Sequence, residues 1–504
     1  MGDFNFPSVV WSDGYGLLNP NPTYGSELNN VFLETMNDAS LEQYVTEPTR
    51  QNNILDLVLS NNNNIHNLNV VPGISDHDAI QFQLSVTHKS AIHKPPHKNY
   101  NGGSISLYLT NTGSLELSYT IEAPGVGYYT SGAISGTSSK VVKLSSSLIT
   151  NSYNDQNKGI HLETNSTNVT VIGQNDVSQS SDTFLALPTV KVCCTHCIYY
   201  GISVSSGVSQ YDNVILIVGT EDNTMMNLTV TQSVNVSIND TISSLTHGSQ
   251  YSFIVSRLQT VYIGSSSDLT GTRIITDKPV SVFSGHECGN VPSLSYRYCD
   301  HLVEQIPPTT YWGKTYYIAP LQGRSAYTIR VLAAYNSTEV FMDCNNVKNS
   351  YTINAGNCFT VTHQYYCAIH SNKEILVAQY SIGNPMMMLV PATMHYDNEI
   401  NLSTISSGYN DYINIIVLKE YYQPSMMYWI TGGVKRSLQS QSWNTITFNQ
   451  VTEAYYTQLS VSNGPVTIIH TTANALMSAV VYGFDYSDAY GHPGGFSVQK
   501  KIQG

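Results

Sequence analysis

The sequence predicts a mainly all-β protein built of tandem repeated units and preceded by a small α/β fragment. Three observations lead there. Charged residues make up only 11% of the 504, against about a quarter in an average soluble chain. Polarity comes instead from 36 Tyr and from abundant Asn, Ser and Thr, which suit the wet faces of strands better than the solvent faces of helices. Beyond residue 100 short apolar runs alternate with turn residues, and a strand–turn–strand element returns four times.

The length predicts two to four domains, and 41% hydrophobic residues suffice for large cores. A net charge of -13 argues against sequence-independent nucleic-acid binding, which needs a Lys/Arg surface. No apolar run reaches the roughly 18 residues of a membrane span. The first residues, Met1 to Pro7, lack the basic start and apolar stretch of a signal peptide. Because later features read as secreted, the true start of the secreted protein is expected to lie elsewhere.

Residues 1–87 hold neither cysteine nor an Asn-x-Ser/Thr sequon. Ser26 can cap a helix whose stripe is Leu28, Val31, Phe32 and Met36. Residues 53–59 read as a buried strand interrupted by Asp56. Ile80, Phe82, Leu84 and Val86 alternate as a half-buried strand. Asp3 and Asn5 fall two apart on one strand face, Asp76 precedes His77, and the buried Asp56 needs a partner, for which His77 is the candidate. These motifs, with Pro48, Thr49 and Arg50, resemble the C-terminal half of the endonuclease/exonuclease/phosphatase family, in its non-LTR retrotransposon form. The resemblance implies that Asp3 activates the attacking water and Asn5 holds the phosphate. It also implies that Asp76 sits by a metal and that Asp56 orients His77, in Mg²⁺-assisted phosphodiester hydrolysis. The family's first half, with its metal-binding Glu, is missing ahead of Gly2. The reading therefore expects a retrotransposon-derived remnant and a protein that is not an enzyme, with Mg²⁺ as cofactor only were the fragment active and otherwise none.

Residues 88–102, rich in His, Pro, Lys and Gly, read as a linker. After it the repeat begins. Its first element occupies residues 104–118, 213–230, 327–341 and, more loosely, 412–417. A second element, a short strand, a corner and a strand, occupies 162–171, 274–282, 369–377 and 459–468. A polar residue followed by proline suits such a corner, because proline presets φ and ends pairing. Three copies close on Pro188, Pro307 and Pro391. Units of 103–188, 189–307, 308–391 and 392–496 follow. Each is large enough for a β-sandwich, the alternative being propeller-like blades.

All eight cysteines lie between Cys193 and Cys367. Seven sequons, at Asn165, Asn168, Asn227, Asn235, Asn239, Asn336 and Asn401, share that half and point to glycosylation in an oxidising compartment. Around Cys288 and Cys299 a local disulfide competes with a Cys₂His₂ zinc site using His286 and His301, and with unpaired thiols. The cluster Cys193, Cys194, His196 and Cys197 reads as a disulfide cluster rather than a redox centre. Cys344 and Cys358 flank an expected hairpin and are the expected second bridge, with Cys367 left over. Met386, Met387, Met388 and Trp312 are expected in the core.

Residues 103–496 resemble the IgGFc-binding protein N-terminal domain family. The matching motifs are Gly271 and Thr272 with Asp277, Lys278, Pro279 and Val280, then Ser284, Gly285, His286 and Cys288. Cys299, Asp300 and His301 follow with Glu304 and Gln305, then Pro307, Pro308, Trp312 and Gly313, and finally Tyr482, Gly483 and Phe484 with Tyr490 and Gly491. The resemblance implies a mucus- or surface-associated extracellular adhesion protein whose partners are other glycoproteins or mucins. It carries over no catalytic residue.

Overall fold

The computed structural model describes residues 104–496 except 146–147, 149–156, 167, 178–179, 189–195, 205–210, 239–240, 294–298, 406–407 and 487; before residue 104 it describes only the backbone of nine strands. Two compact units result: Met1–Thr87 with Asn165–Thr167, and His88–Thr164 with Asn168–Gly504. No helix among the described residues reaches seven residues, and none is long and apolar enough to cross a membrane.

The first unit contains Gly2–Asp3 (β1), Val9–Ser12 (β2), Tyr15–Leu18 (β3), Glu42–Gln43 (β4), Asp56–Leu57 (β5), Leu59–Ser60 (β6), Ile65–Val71 (β7) and Ala79–Leu84 (β8). They pair antiparallel as β1 with β5, β2 with β3, β4 with β6 and β7 with β8. The helix expected over residues 26–36 lies outside the described residues.

An eight-strand plan recurs through the second unit, complete in the first, second and fourth copies and reduced in the third to seven strands of one sheet. The first copy comprises Lys89–Ile92 (β9), Ser104–Asn111 (β10), Leu117–Ala123 (β11), Tyr128–Ile134 (β12), Ser139–Lys143 (β13), Ile160–Thr164 (β14), Val169–Val177 (β15) and Ser180–Leu185 (β16). The second comprises Cys197–Tyr200 (β17), Asn213–Gly219 (β18), Thr224–Thr229 (β19), an added hairpin Val234–Ile238 (β20) and Thr241–Leu245 (β21), Gln250–Val255 (β22), Thr260–Ser265 (β23), Arg273–Thr276 (β24), Val280–Gly289 (β25) and Asp300–Ile306 (β26). The third has Gly313–Ile318 (β27), Tyr327–Ala333 (β28), Thr338–Cys344 (β29), Val347–Ile353 (β30), Cys358–His363 (β31), Cys367–Ser381 (β32) and Met387–Leu389 (β33). The fourth has Glu399–Ser403 (β34), Asn410–Leu418 (β35), Met427–Thr431 (β36), Val434–Ser437 (β37), Asn444–Phe448 (β38), Val451–Val461 (β39), Pro465–His470 (β40), Met477–Phe484 (β41) and Ala489–Pro493 (β42).

In the first copy the sheets run β12-β11-β14-β9 and β13-β10-β15-β16; the second repeats both orders as β22-β19-β24-β17 and β23-β18-β25-β26, extended beyond β23 by β20 and β21, and the fourth as β37-β36-β40-β34 and β39-β35-β41-β42, extended beyond β39 by β38. The sheets stack as sandwiches, and no propeller closes among the described residues. Burial explains the two sequence textures. The first-named sheets alternate along a strand, as in β11, because one face is wet, whereas β18, β28 and β41 are buried throughout and β10 is buried from Ile105 onward. Their second faces are covered by a neighbouring copy. Val214, Leu216 and Phe283 of the second copy accordingly share a core with Leu107 and Ile121 of the first. Two-residue hairpins with left-handed φ at both positions join β29 to β30 (Asn345, Asn346), β36 to β37 (Gly432, Gly433) and β38 to β39 (Asn449, Gln450).

Three expectations need correction. The stretch 88–102 is not wholly linker: Lys89–Ile92 pairs with β14 and supplies the first copy's edge. The corner expected within 369–377 does not exist. There β32 runs unbroken for 15 residues, pairing β27 and β29 with its first half and β28 and β33 with its second. The second copy has Pro279 at the corresponding place, which cannot donate to a ladder, whereas Glu374 keeps its N–H and lets the strand continue. Residues 459–468 likewise span β39 and β40, one hairpin earlier than the equivalent corners; the true counterpart joins β40 to β41.

Candidate functional site

The last strand of each copy meets the others. β16 packs against β26 and β42, and β33 packs against the same two. At this four-strand hub the sequence places acids where a strand interior is normally apolar. Asp182 is fully buried; its Oδ1 accepts from the Thr183 N–H at 2.8 Å, and its Oδ2 accepts from the N–H groups of Val303 (3.2 Å) and Met387 (3.3 Å). The Gly491 N–H also reaches it, so one carboxyl of the first copy collects donors from the closing strands of the other three. Glu304, 1% exposed, accepts from the Leu389 N–H at 2.9 Å. Asp300 accepts from the Ser180 hydroxyl and the His301 N–H, both at 2.8 Å, while Asp488 accepts from the Ser181 N–H at 3.0 Å and the Tyr409 hydroxyl at 2.6 Å. Burial raises the pKa of Asp182, Asp300 and Glu304 well above the carboxylate range and raises that of Asp488 as well. Beside them the Nδ1 of His492 bonds the Thr183 hydroxyl at 2.8 Å, and burial pushes this imidazole down to about 3.

The sequence marked Asp300 and Glu304 only as resemblance motifs, named His301 there and as a zinc-ligand alternative, and gave Asp182, Asp488 and His492 no role. A signal was present: an acid stands five to seven residues ahead of Pro188, Pro307 and Pro493.

Cys288 and Cys299 are joined, so the sulfurs a zinc site there would need are committed to each other; the His286 Nδ1 instead accepts from the Cys288 N–H at 2.9 Å. The second bridge corrects the expectation. Cys344 is joined to Cys367 across 4.1 Å between Cα atoms, and Cys358 is free. Register decides it: Asp343 pairs with Ala368, which places Cys344 beside Cys367, whereas Cys358 pairs with Leu332 on β28. A ring nitrogen of His363 lies within 4.8 Å of the sulfurs of Cys344 and Cys367, which the bridge has already committed to each other. Cys197 is disulfide-bonded, and Cys193 and Cys194 lie outside the described residues. Met386, Met387, Met388 and Trp312 are all at most 1% exposed.

Of the sequon asparagines, Asn165, Asn168, Asn227, Asn235 and Asn336 are exposed and Asn401 is half-buried; Asn239 is outside the described residues. In the first unit Asp3 and Asp56 are direct cross-strand partners, whereas Asn5, Asp76 and His77 lie outside the described residues. Among the described residues of the second unit, two of the clefts have the following linings. One of about 480 Å³ is lined by Asp212, Asn235, Ser244 and Ser265. One of about 170 Å³ is lined by His395, Asp397, Glu399 and Phe496. Neither is lined by a hub carboxyl.

The family model described as IgGFc binding protein matches residues 182–483, which run from the hub aspartate of the first copy almost to the last sandwich's end. The chain belongs to the IgGFc-binding protein family. A human IgGFc-binding protein is 28% identical over 142 residues, 26% of this chain, and the match spans only 3% of that relative's length. Solved structures are remote. A Ca²⁺-stabilized adhesin of an Antarctic bacterium is 9% identical over 78% of this chain and 93% of its own, with a TM-score of 0.11. The viral chemokine binding protein R17 of a rodent gammaherpesvirus is 9% identical over 63% of this chain and 89% of its own, with a TM-score of 0.14. The four-copy plan of this IgGFc-binding family member therefore rests on its own sheet order.

Proposed function

We propose that the chain is a secreted, glycosylated adhesion module that binds other extracellular glycoproteins, mucins among them, without catalysing a reaction. Family membership carries this reading. Disulfides within the repeated sandwiches support the compartment, and five sequon asparagines stand exposed on their surface. The test is to express the full chain behind an added signal peptide and pass it over immobilised mucin. Retention that falls when the mucin is stripped of glycans is expected. A chain that is secreted without glycans and flows through untreated and stripped mucin alike would sink the reading. An immunoglobulin Fc column tests the narrower ligand that the relative's name carries.

A second reading concerns only the first unit. The cross-strand register of Asp3 with Asp56 supports a nuclease-like reading there, with Asp3, Asn5, Asp56, Asp76 and His77 in the roles the resemblance implies and Mg²⁺ at Asp76. Plasmid nicking with Mg²⁺ by the full chain, compared with His77→Ala, decides it; equal rates end it.

A further inference from the structure

The hub acids have an unusual position. Asp182, Asp300, Glu304 and Asp488 are each at most 6% exposed. Among the described residues no Lys or Arg forms an ion pair with any of them. Buried carboxylates without cations are costly, so their partners matter. Asp182 and Glu304 are met by backbone N–H donors. Asp300 and Asp488 meet each other: the Asp300 Oδ2 and the Asp488 Oδ1 converge on one Ala489 N–H, at 3.3 and 2.8 Å, which sets the two carboxyls where they can share a proton. Two carboxylates can bond to each other only if one keeps its proton. The Asp300 Oδ1 is occupied by Ser180 and His301, and Asp488 is occupied as an acceptor by Ser181, Ala489 and Tyr409. This pattern makes Asp300 the acid and Asp488 the acceptor.

We propose that the hub is a proton-operated clamp, in which one proton shared between Asp300 on β26 and Asp488 on β42, with β16 donating to both through Ser180 and Ser181, holds the first, second and fourth sandwiches closed on one another. Losing that proton sets two buried negative charges side by side. It loosens the three strands at the point where the chain's first and last copies meet.

The titratable groups around the pair are few. β16 offers Asp182. β26 offers His301 and Glu304, and β42 offers Tyr490 and His492. Tyr409 bonds Asp488, and Asp411 bonds the Tyr490 hydroxyl at 2.7 Å. β33, of Met387, Met388 and Leu389, offers none. Burial raises Asp300 first of all, and the neighbouring Asp488 and Asp182 raise it further. The sign follows. A carboxyl whose folded pKa is raised contributes stability that is complete below its unfolded value near 4 and is lost as pH rises through the raised value. The clamp is shut in mild acid and opens toward neutral and alkaline pH.

The experiment is backbone hydrogen exchange on the full-length protein at pH 5 and pH 8, read in residues 180–185, 300–306 and 489–493 and corrected for the intrinsic effect of pH. Exchange about tenfold or more faster at pH 8, the effect of one pKa unit, is expected there, with sheet β36–β37 as an internal control that does not change. Asp300→Asn keeps a donor to Asp488 but has no proton to lose, so its hub exchanges slowly at both pH values. Asp488→Asn, should the first variant not fold, puts a neutral amide donor beside Asp300, so that its ionisation no longer sets two negative charges side by side and the difference is again abolished. Equal wild-type rates at the two pH values, or a difference that survives in the folded Asn variant, overturns the clamp.

Discussion

The Arg330 guanidinium, its side chain 6% exposed, donates from Nη1 to the Asp268 carboxylate at 2.8 Å and so ties the third copy to the second. The same nitrogen reaches the Ser203 carbonyl and the Thr270 hydroxyl, and Nε reaches Thr360 at 3.0 Å. Removing one partner of such a pair leaves an uncompensated buried group. Arg330→Met keeps much of the volume but strands Ser203 and Asp268. Because Asp268 is 24% exposed and water screens part of its charge, the cost is set at about 3 kcal/mol, the low end for buried pairs. A urea midpoint unchanged from wild type would show that the junction does not need the charge.

The bridge between Cys344 and Cys367 closes a loop of 23 positions. On the chain-entropy model it contributes about 3 kcal/mol. Cys367→Ser should lower stability by about that amount, while Cys358→Ser, which removes a free half-buried thiol, should cost clearly less. Non-reducing peptide mapping should recover Cys344 linked to Cys367 and Cys358 alkylated. A peptide linking Cys344 to Cys358 would restore the simpler hairpin bridge.

These two contacts show what the sequence could and could not reveal. Strand identity was legible because β18 and β28 are continuous apolar runs and β11 alternates, each a direct imprint of how many faces are covered. The Cys288–Cys299 loop was legible because it is local. The Cys344 partner was not, because it depends on the register of β29 against β32, two strands that reading along the chain does not place side by side. Arg330 pairs across 62 positions and Asp182 with Met387 across 205. No spacing rule reaches so far, and so the hub emerged only once four strands were set together in space.

Packing between the first two sandwiches makes a third test. An added Cβ at Gly173 would lie 2.2 Å from the Phe184 ring, which itself meets Phe283 edge-on with centroids 5.1 Å apart. Gly173→Ala must therefore displace Phe184, at about 1–3 kcal/mol for overpacking. Phe283→Ala opens a cavity instead, at about 3–5 kcal/mol. Because Gly173 and Phe283 act on one ring, the double variant should depart from the sum of the two. Strict additivity in thermal unfolding would mean that the two copies do not share this core.

His395 supplies a pH test independent of the hub carboxyls. Its Nδ1 accepts from the Ala392 N–H at 3.0 Å and its Nε2 donates to the Tyr311 carbonyl at 2.8 Å, so the neutral ring is fully matched. A second proton on Nδ1 would face a donor. Burial accordingly drives the imidazole down to about 4. For a base with a lowered folded pKa, the unfolded chain takes up its proton first as pH falls. The stability His395 contributes is therefore present above 6.5 and lost on going down toward 4. His395→Gln cannot titrate. Between pH 7 and pH 4.5 the wild type should lose more unfolding free energy than this variant, measured by urea titration at both pH values. An equal loss in the two proteins would mean that the ring is not held neutral by the pair of bonds seen here.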